Sequence, residues 1–147
     1  MKKNLLILAI SLLGYAGFAQ NTDTLLSKYY SIKNALVKSD ARAASEAIIN
    51  LQKEIKAEDA FKEKNDLNTA VDKLAKANSI EKQRAVFNDV SIAMWQLVSS
   101  TEKVSQPVYY QYCPMKKAYW LSSETVIKNP YFGSAMLTCG NVFQTKK

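Results

Sequence analysis

The sequence predicts an all-α fold: an antiparallel up-down bundle of about four helices, closed by an irregular aromatic C-terminal cap with room for two short strands. Three observations predict it. Residues 20–106 contain no glycine and no proline and are rich in Ala, Lys, Glu, Leu and Asn, a composition that favours helix over turn. Apolar residues recur in that segment at three- and four-residue spacings, the period of one helical face. From Pro107 onward the character changes, for all three prolines and more than half of the aromatic residues lie there, which is not bundle sequence.

Before the helices, Lys2 and Lys3 are followed by an apolar run from Leu5 to Leu13 and then by the small residues Gly14, Ala16, Gly17 and Ala19. This is the pattern of a secretory signal peptide over residues 1–19, cleaved after Ala19. No cysteine follows that point, so a lipid anchor is not expected. No later apolar run approaches the roughly 18 residues that span a bilayer, so no membrane span is expected after cleavage. The expectation is a periplasmic or secreted protein with a single helical-bundle domain at residues 20–147, of which 107–147 form the cap.

The first helix is predicted over about Thr24–Lys38, with Thr22 or Asp23 as cap and Leu25, Tyr29, Ile32 and Leu36 on one face. Ser39 and Asp40 break it and cap the second helix, about Ala41–Lys56, whose stripe is Ala44, Ala47, Ile48, Leu51 and Ile55. The third, about Leu67–Ala77, uses Leu67, Ala70, Val71 and Leu74. The fourth is the longest, about Ile80–Ser100 after a Ser79 cap, with Ile80, Phe87, Val90, Met94, Leu97 and Val98 inward. In the cap, Val108–Tyr112 and Ala118–Leu121 suit short strands, and Asn129-Pro130-Tyr131-Phe132-Gly133 suits a turn leading into a helical turn at Ser134–Leu137.

The charge pattern argues against nucleic acid as a partner. Arginine occurs only at Arg42 and Arg84, and the basic excess sits in the cap, where Lys116, Lys117, Lys128, Lys146 and Lys147 face Glu124 alone. Enzyme classes fare no better, and no enzyme is expected. A chain without histidine has no Ser-His-Asp or Cys-His machinery, its two cysteines are not in C-x-x-C, and no glycine-rich phosphate loop occurs.

What remains is sulfur. Cys113 and Met115 sit in C-P-M, and Met136 and Cys139 in M-x-x-C, so each end of one aromatic segment offers a thiol and a thioether. With histidine absent, this set suits Cu(I), or less well another thiophilic ion such as Zn(II) or Ag(I). Lys116 and Lys117 would favour the thiolates. Tyr112, Trp120 and Tyr131, with Tyr119 and Phe132, are candidates for the wall of such a site, and Trp120 for a lid through its indole face. Each of these residues also has a plainer role: methionine fills core gaps, and tryptophan anchors caps. The cysteines could equally form a structural disulfide, usual for an exported chain with an even count, which would stabilise the fold by roughly 3 kcal/mol on chain entropy. A disulfide needs sulfurs at about 2.05 Å, whereas two ligands of one metal stand about 3.5 to 4 Å apart with both thioethers facing the same point.

The segments YYQYCPM, AYWLSSE and NPYFGSAMLTCG resemble a domain of unknown function from Bacteroidetes-type envelope proteins, found alone behind a signal peptide or fused to the C-terminus of CusB-like heavy-metal efflux adaptors. The helical part is similar too, in Tyr29-Tyr30 to Leu36-Val37 and in the stretch from Ile80 to Phe87. The resemblance implies a periplasmic helical domain whose C-terminal segment handles heavy metal through Cys113, Met115, Met136 and Cys139, with an efflux adaptor or another envelope protein as partner. The link Lys116-Lys117-Ala118 is shorter than the glycine-containing links of relatives.

Overall fold

The computed structural model describes residues 15–147, with side chains described from residue 21. The expected leader over residues 1–19 lies outside the described residues as far as Gly14, and beyond that only its helical backbone is described. Four helices follow one another: α1 (Tyr15–Val37), α2 (Ala41–Ala57), α3 (Lys64–Ala75) and α4 (Ile80–Ser100). Three strands complete the fold, β1 (Val108–Cys113), β2 (Ala118–Ser122) and β3 (Asn141–Lys146), with a 3-10 turn at Gly133–Met136. The all-α expectation is therefore corrected. The bundle is present, but the cap is an antiparallel sheet in the order β2-β1-β3, which makes the fold mixed α and β. A two-stranded hairpin is marginal by itself, and the third strand is what turns the cap into a sheet.

The helices form where the apolar period placed them. The inward stripes of α2 and α3 are those expected, and on α4 Phe87, Val90, Met94 and Val98 are fully buried while Ile80 is half-buried. Asp40 caps α2 by accepting from the Ala43 N–H at 2.9 Å, and Ser79 caps α4 through Lys82. Ser39 makes the break between α1 and α2 at a φ of 59°, in the left-handed region. Thr22 and Asp23 are not caps, because α1 runs through them. Instead they tie α1 to the far end of α4, where Thr22 Oγ1 meets Thr101 Oγ1 at 3.0 Å and Asp23 accepts from the Ser105 N–H and hydroxyl.

The sheet packs on the bundle through α4 and α1. Strand alternation puts Tyr110, Tyr112, Tyr119 and Leu121 on one face and Gln111, Cys113, Ala118 and Trp120 on the other. On the first face Trp95 of α4 stacks on Tyr110 at 4.5 Å between centroids and 1° between planes, and Tyr119 stacks on Tyr110 at 4.7 Å. The Trp95 Nε1–H donates to Gln144 of β3 at 3.1 Å. β3 pairs with β1 with a bulge between Tyr110 and Gln111, which leaves Phe143 as the extra residue, in edge contact with Tyr110 and Tyr119. The second face is covered by the chain from 123 to 140.

An exposed sheet edge carries unpaired backbone groups, and here the outer edge of β2 is closed by side chains. The Tyr119 N–H donates to Asn88 Oδ1 at 2.8 Å, the Leu121 N–H donates to the Tyr29 hydroxyl at 3.1 Å, and the Tyr131 hydroxyl donates to the Tyr119 carbonyl. Tyr29 is fully buried, pairs its hydroxyl with Ser91 Oγ at 2.7 Å and stacks its ring on Phe87 at 5.2 Å. Burial holds that phenol far above its ordinary pKa, so it stays neutral.

Two substitutions test this core by urea unfolding. Phe87→Ala should cost about 3 to 5 kcal/mol, and a loss below about 1 kcal/mol would place Phe87 outside the core. Tyr29→Phe keeps the ring but strands the Leu121 N–H, and should cost about 1 to 3 kcal/mol.

Candidate thiol and thioether site

Cys113 ends β1 on the sheet face turned away from the Trp95 stack and is fully buried. Its cross-strand neighbour is Ala118, small enough to leave room above the thiol. Cys139 comes to it from the covering segment, and the two sulfurs stand 3.8 Å apart, both as free thiols. That is thiol contact distance and lies within the window expected for two ligands of one ion. With metal–sulfur bonds near 2.3 Å, sulfurs 3.8 Å apart subtend about 110° at the metal, a tetrahedral angle.

The covering segment is held by Asn129, which sequence reasoning treated only as the start of a turn. It is fully buried, and all of its groups are used. Its side-chain Nδ2 donates to the Cys139 carbonyl at 2.7 Å, and its Oδ1 accepts from the Tyr131 N–H at 2.8 Å. Its own N–H donates to the Leu137 carbonyl and its carbonyl accepts from the Gly133 N–H. One residue thereby fixes both ends of the stretch from 129 to 139 and sets Cys139 over Cys113. The only sequence signal for this was an asparagine directly before Pro130.

Gly140 fixes the next step of the path. Its φ is 144°, and an added Cβ would lie 2.7 Å from Trp120 and 2.8 Å from the Tyr112 carbonyl. The chain leaving Cys139 thus runs directly over the indole. Trp120 shares the thiol face of the sheet and is fully buried, with its Nε1–H unpaired among the described residues, and Tyr131 meets it edge-on at 6.1 Å between centroids. These two are neighbours of the thiols. Tyr112 projects to the other face, where it packs on Tyr119 and Phe143, so it does not wall the thiol side.

The thioethers are placed differently from the thiols. Met115 lies on the β1–β2 turn and is 63 % exposed. Met136 is half-buried at the end of the 3-10 turn, where its carbonyl accepts from the Cys139 N–H at 3.2 Å. Among the described residues neither thioether hydrogen-bonds to a thiol. Nor do the described residues hold a cluster of three or more His, Cys, Asp or Glu able to bind an ion, so any metal here must complete its shell from methionine, backbone or solvent. Lys116 does not reach toward the thiols but lies over the Phe132 ring, 5.0 Å from its centroid. Burial, and next to it the neighbouring Cys113, raise the Cys139 pKa above the ordinary thiol value, so at neutral pH Cys139 rests as the thiol.

A model of the family described as Protein of unknown function (DUF3347) matches residues 25–106. The chain belongs to this family. The DUF3347 match covers α1 from Leu25 and all of α2, α3 and α4, including Tyr29, Asn88 and Ser91 that receive the sheet, and ends just before Pro107. Both cysteines and both methionines of the site, Cys113, Met115, Met136 and Cys139, therefore lie beyond the matched stretch. No curated protein and no solved structure matches the chain. No helix among the described residues is long and apolar enough to cross a membrane.

Two predictions follow from the geometry around Cys139. Asn129→Ala leaves buried backbone groups without partners and should lower stability by about 2 kcal/mol in urea, while speeding alkylation of Cys139 by iodoacetamide severalfold. In the native protein that alkylation should stay slow at neutral pH and accelerate only above the usual thiol range, because the thiolate is the nucleophile and the folded state favours the thiol. The same raised value means that the stabilisation tied to the protonated thiol is complete below the unfolded-state pKa and fades as pH climbs through the folded one. A Cys139 thiol that reacts at neutral pH as fast as a free cysteine would contradict this.

Proposed function

We propose that the protein binds a soft metal ion of the Cu(I) type through Cys113 and Cys139, with Met115 and Met136 as thioether ligands. It would act without catalysis, as a buffer or carrier in the cell envelope. The observation that carries this reading is the pair of free thiols at 3.8 Å, on a buried sheet end next to an indole and in a chain without histidine. Two thiolates set at a tetrahedral angle leave two positions, and soft thioethers at the adjoining turns are the donors of matching chemistry. Met136 is one helical turn from Cys139, and Met115 sits on a hairpin turn whose exposure leaves it free to swing inward. Binding must displace the thiol protons, so affinity rises with pH.

The link to heavy-metal efflux rests on the resemblance of YYQYCPM, AYWLSSE and NPYFGSAMLTCG to the domain fused to CusB-like adaptors. The signal-peptide pattern of residues 1–19 supports a periplasmic or secreted location. An adaptor of such a system, or another envelope protein, is the proposed partner. The same sulfur distance also favours a second reading, in which the thiols close into a disulfide and the cap serves as an interaction module. The two states exclude one another, since a disulfide has no thiolate to offer.

Titrating the reduced protein with Cu(I) against a competing chromophoric chelator tests the proposal. One ion per chain should bind, the Cys113→Ser, Cys139→Ser protein should lose affinity by at least a hundredfold, and Met115→Leu with Met136→Leu should lose about tenfold. Binding no tighter than that of the double-serine protein would end the metal reading. Recovery from the periplasm of a form lighter by two protons and indifferent to added metal would favour the disulfide module.

A further inference from the structure

Beside the thiol face, where the β1–β2 turn meets α4, lies a cavity of about 350 Å³ whose lining includes Glu81, Arg84, Asn88, Lys116, Lys117 and Tyr131. Three of these side chains are cations and one is a carboxylate. Among the described residues, none of the three cations takes part in an ion pair. Arg84 spends its hydrogen bonds on neutral oxygens, Nε on the Pro130 carbonyl at 2.8 Å and Nη2 on the Leu36 carbonyl at 2.8 Å and Ser39 Oγ at 2.9 Å. This fixes the guanidinium and leaves its charge facing Glu81 across the cavity with no direct ion pair among the described residues. Among the described residues Lys116 is held by the Phe132 ring. Asn88 uses its Oδ1 on the Tyr119 N–H, so its Nδ2 donors remain.

Lys117 adds an independent observation. It has a φ of 51°, in the left-handed region, at a turn where glycine or asparagine would sit without strain. A lysine there puts a second ammonium on the same turn as Lys116, so the chain accepts both backbone strain and like-charge repulsion at the cavity mouth.

We propose that this cleft binds a small polyvalent oxyanion, a di- or tricarboxylate or a phosphate ester. Its volume falls in the range of small-ligand sites, and its excess of two positive charges sets the valence. The rigid guanidinium supplies directional donors, and the two ammonium groups supply charge that follows the ligand. Glu81 is the one carboxylate of the lining, outnumbered by the three cations, and Tyr131 and Ala118 add no further negative charge. The site is independent of the metal reading, since none of its groups is a sulfur.

The test uses metal-free protein carrying Cys113→Ser and Cys139→Ser, so that metal binding plays no part. Citrate, inorganic phosphate and a tetraglutamate peptide are titrated separately at low salt while the backbone amides of 116–118 and the Arg84 Nε–H are followed by NMR. Citrate or phosphate should give saturable shifts at those groups, with affinity falling as salt rises. Lys117→Gly is the discriminating variant, for it relieves the strain and removes the charge. It should unfold at the same temperature or higher and bind citrate at least tenfold more weakly, with Lys116→Gln behaving likewise in binding. Absence of saturable shifts with both small anions would overturn the proposal, as would undiminished binding by Lys117→Gly. Tetraglutamate binding more than tenfold tighter than citrate would overturn the small-anion assignment in favour of an acidic peptide.

Discussion

The outer edge of β2 must find partners, and that requirement organises the molecule. An edge strand offers alternating N–H and C=O groups that are costly to bury unpaired. In this protein the partners are side chains rather than another strand: Tyr29 from α1, Asn88 from α4 and Tyr131 from the covering segment. Two of them are held from behind, Tyr29 by Ser91 and Phe87, Tyr131 by the Asn129 amide. The sheet is thus keyed to the bundle by directional bonds as well as by apolar contact. The stacked Trp95 and Tyr110 then fix its tilt, because flat aromatic stacking at 1° tolerates little rotation.

How much of this could be read from residues differs by element. The stripes of α2, α3 and α4 were legible because helical period and burial are the same signal, and Asp40 and Ser79 announced their caps. α1 was drawn too short, since Thr22 and Asp23 have the chemistry of a cap but serve a tertiary contact. β3 was missed for a clear reason: Asn141–Lys146 is exposed along nearly its whole length and carries no alternation of polar and apolar residues, so only its pairing with β1 makes it a strand. That single omission produced the all-α expectation. In the site, sulfur chemistry singled out Cys113 and Cys139, which the fold does bring together. Tyr112 was misassigned because alternation along β1 sends it to the face opposite its neighbour Cys113. Asn129 and Gly140 were invisible, as their roles lie in backbone groups reached across the fold.

The division between the family match and the rest of the chain has a physical counterpart. Residues 25–106 hold most of α1, all of α2 to α4 and the bundle's two edge partners, Tyr29 and Asn88, while the sheet, Tyr131 and the sulfur pair all come after Pro107. The strand edge, the indole under Gly140 and the thiol pair form one connected assembly. A change at Tyr29, far from the sulfurs in sequence, therefore acts on the strand that carries Trp120 and pairs with Cys113.

The bond from Leu121 to Tyr29 spans 92 residues, whereas the helices close mostly through contacts between consecutive elements. Contacts distant in sequence cost more chain entropy to close and form late. The helices can therefore assemble while the last third of the chain is still open, with Cys113 and Cys139 apart. The sulfur pair comes into being only as the sheet locks onto the bundle, so it depends on the contacts that are most distant in sequence. A chain arrested at the bundle stage would lack Trp120, Leu121 and Tyr131 from its core and would hold its two thiols apart.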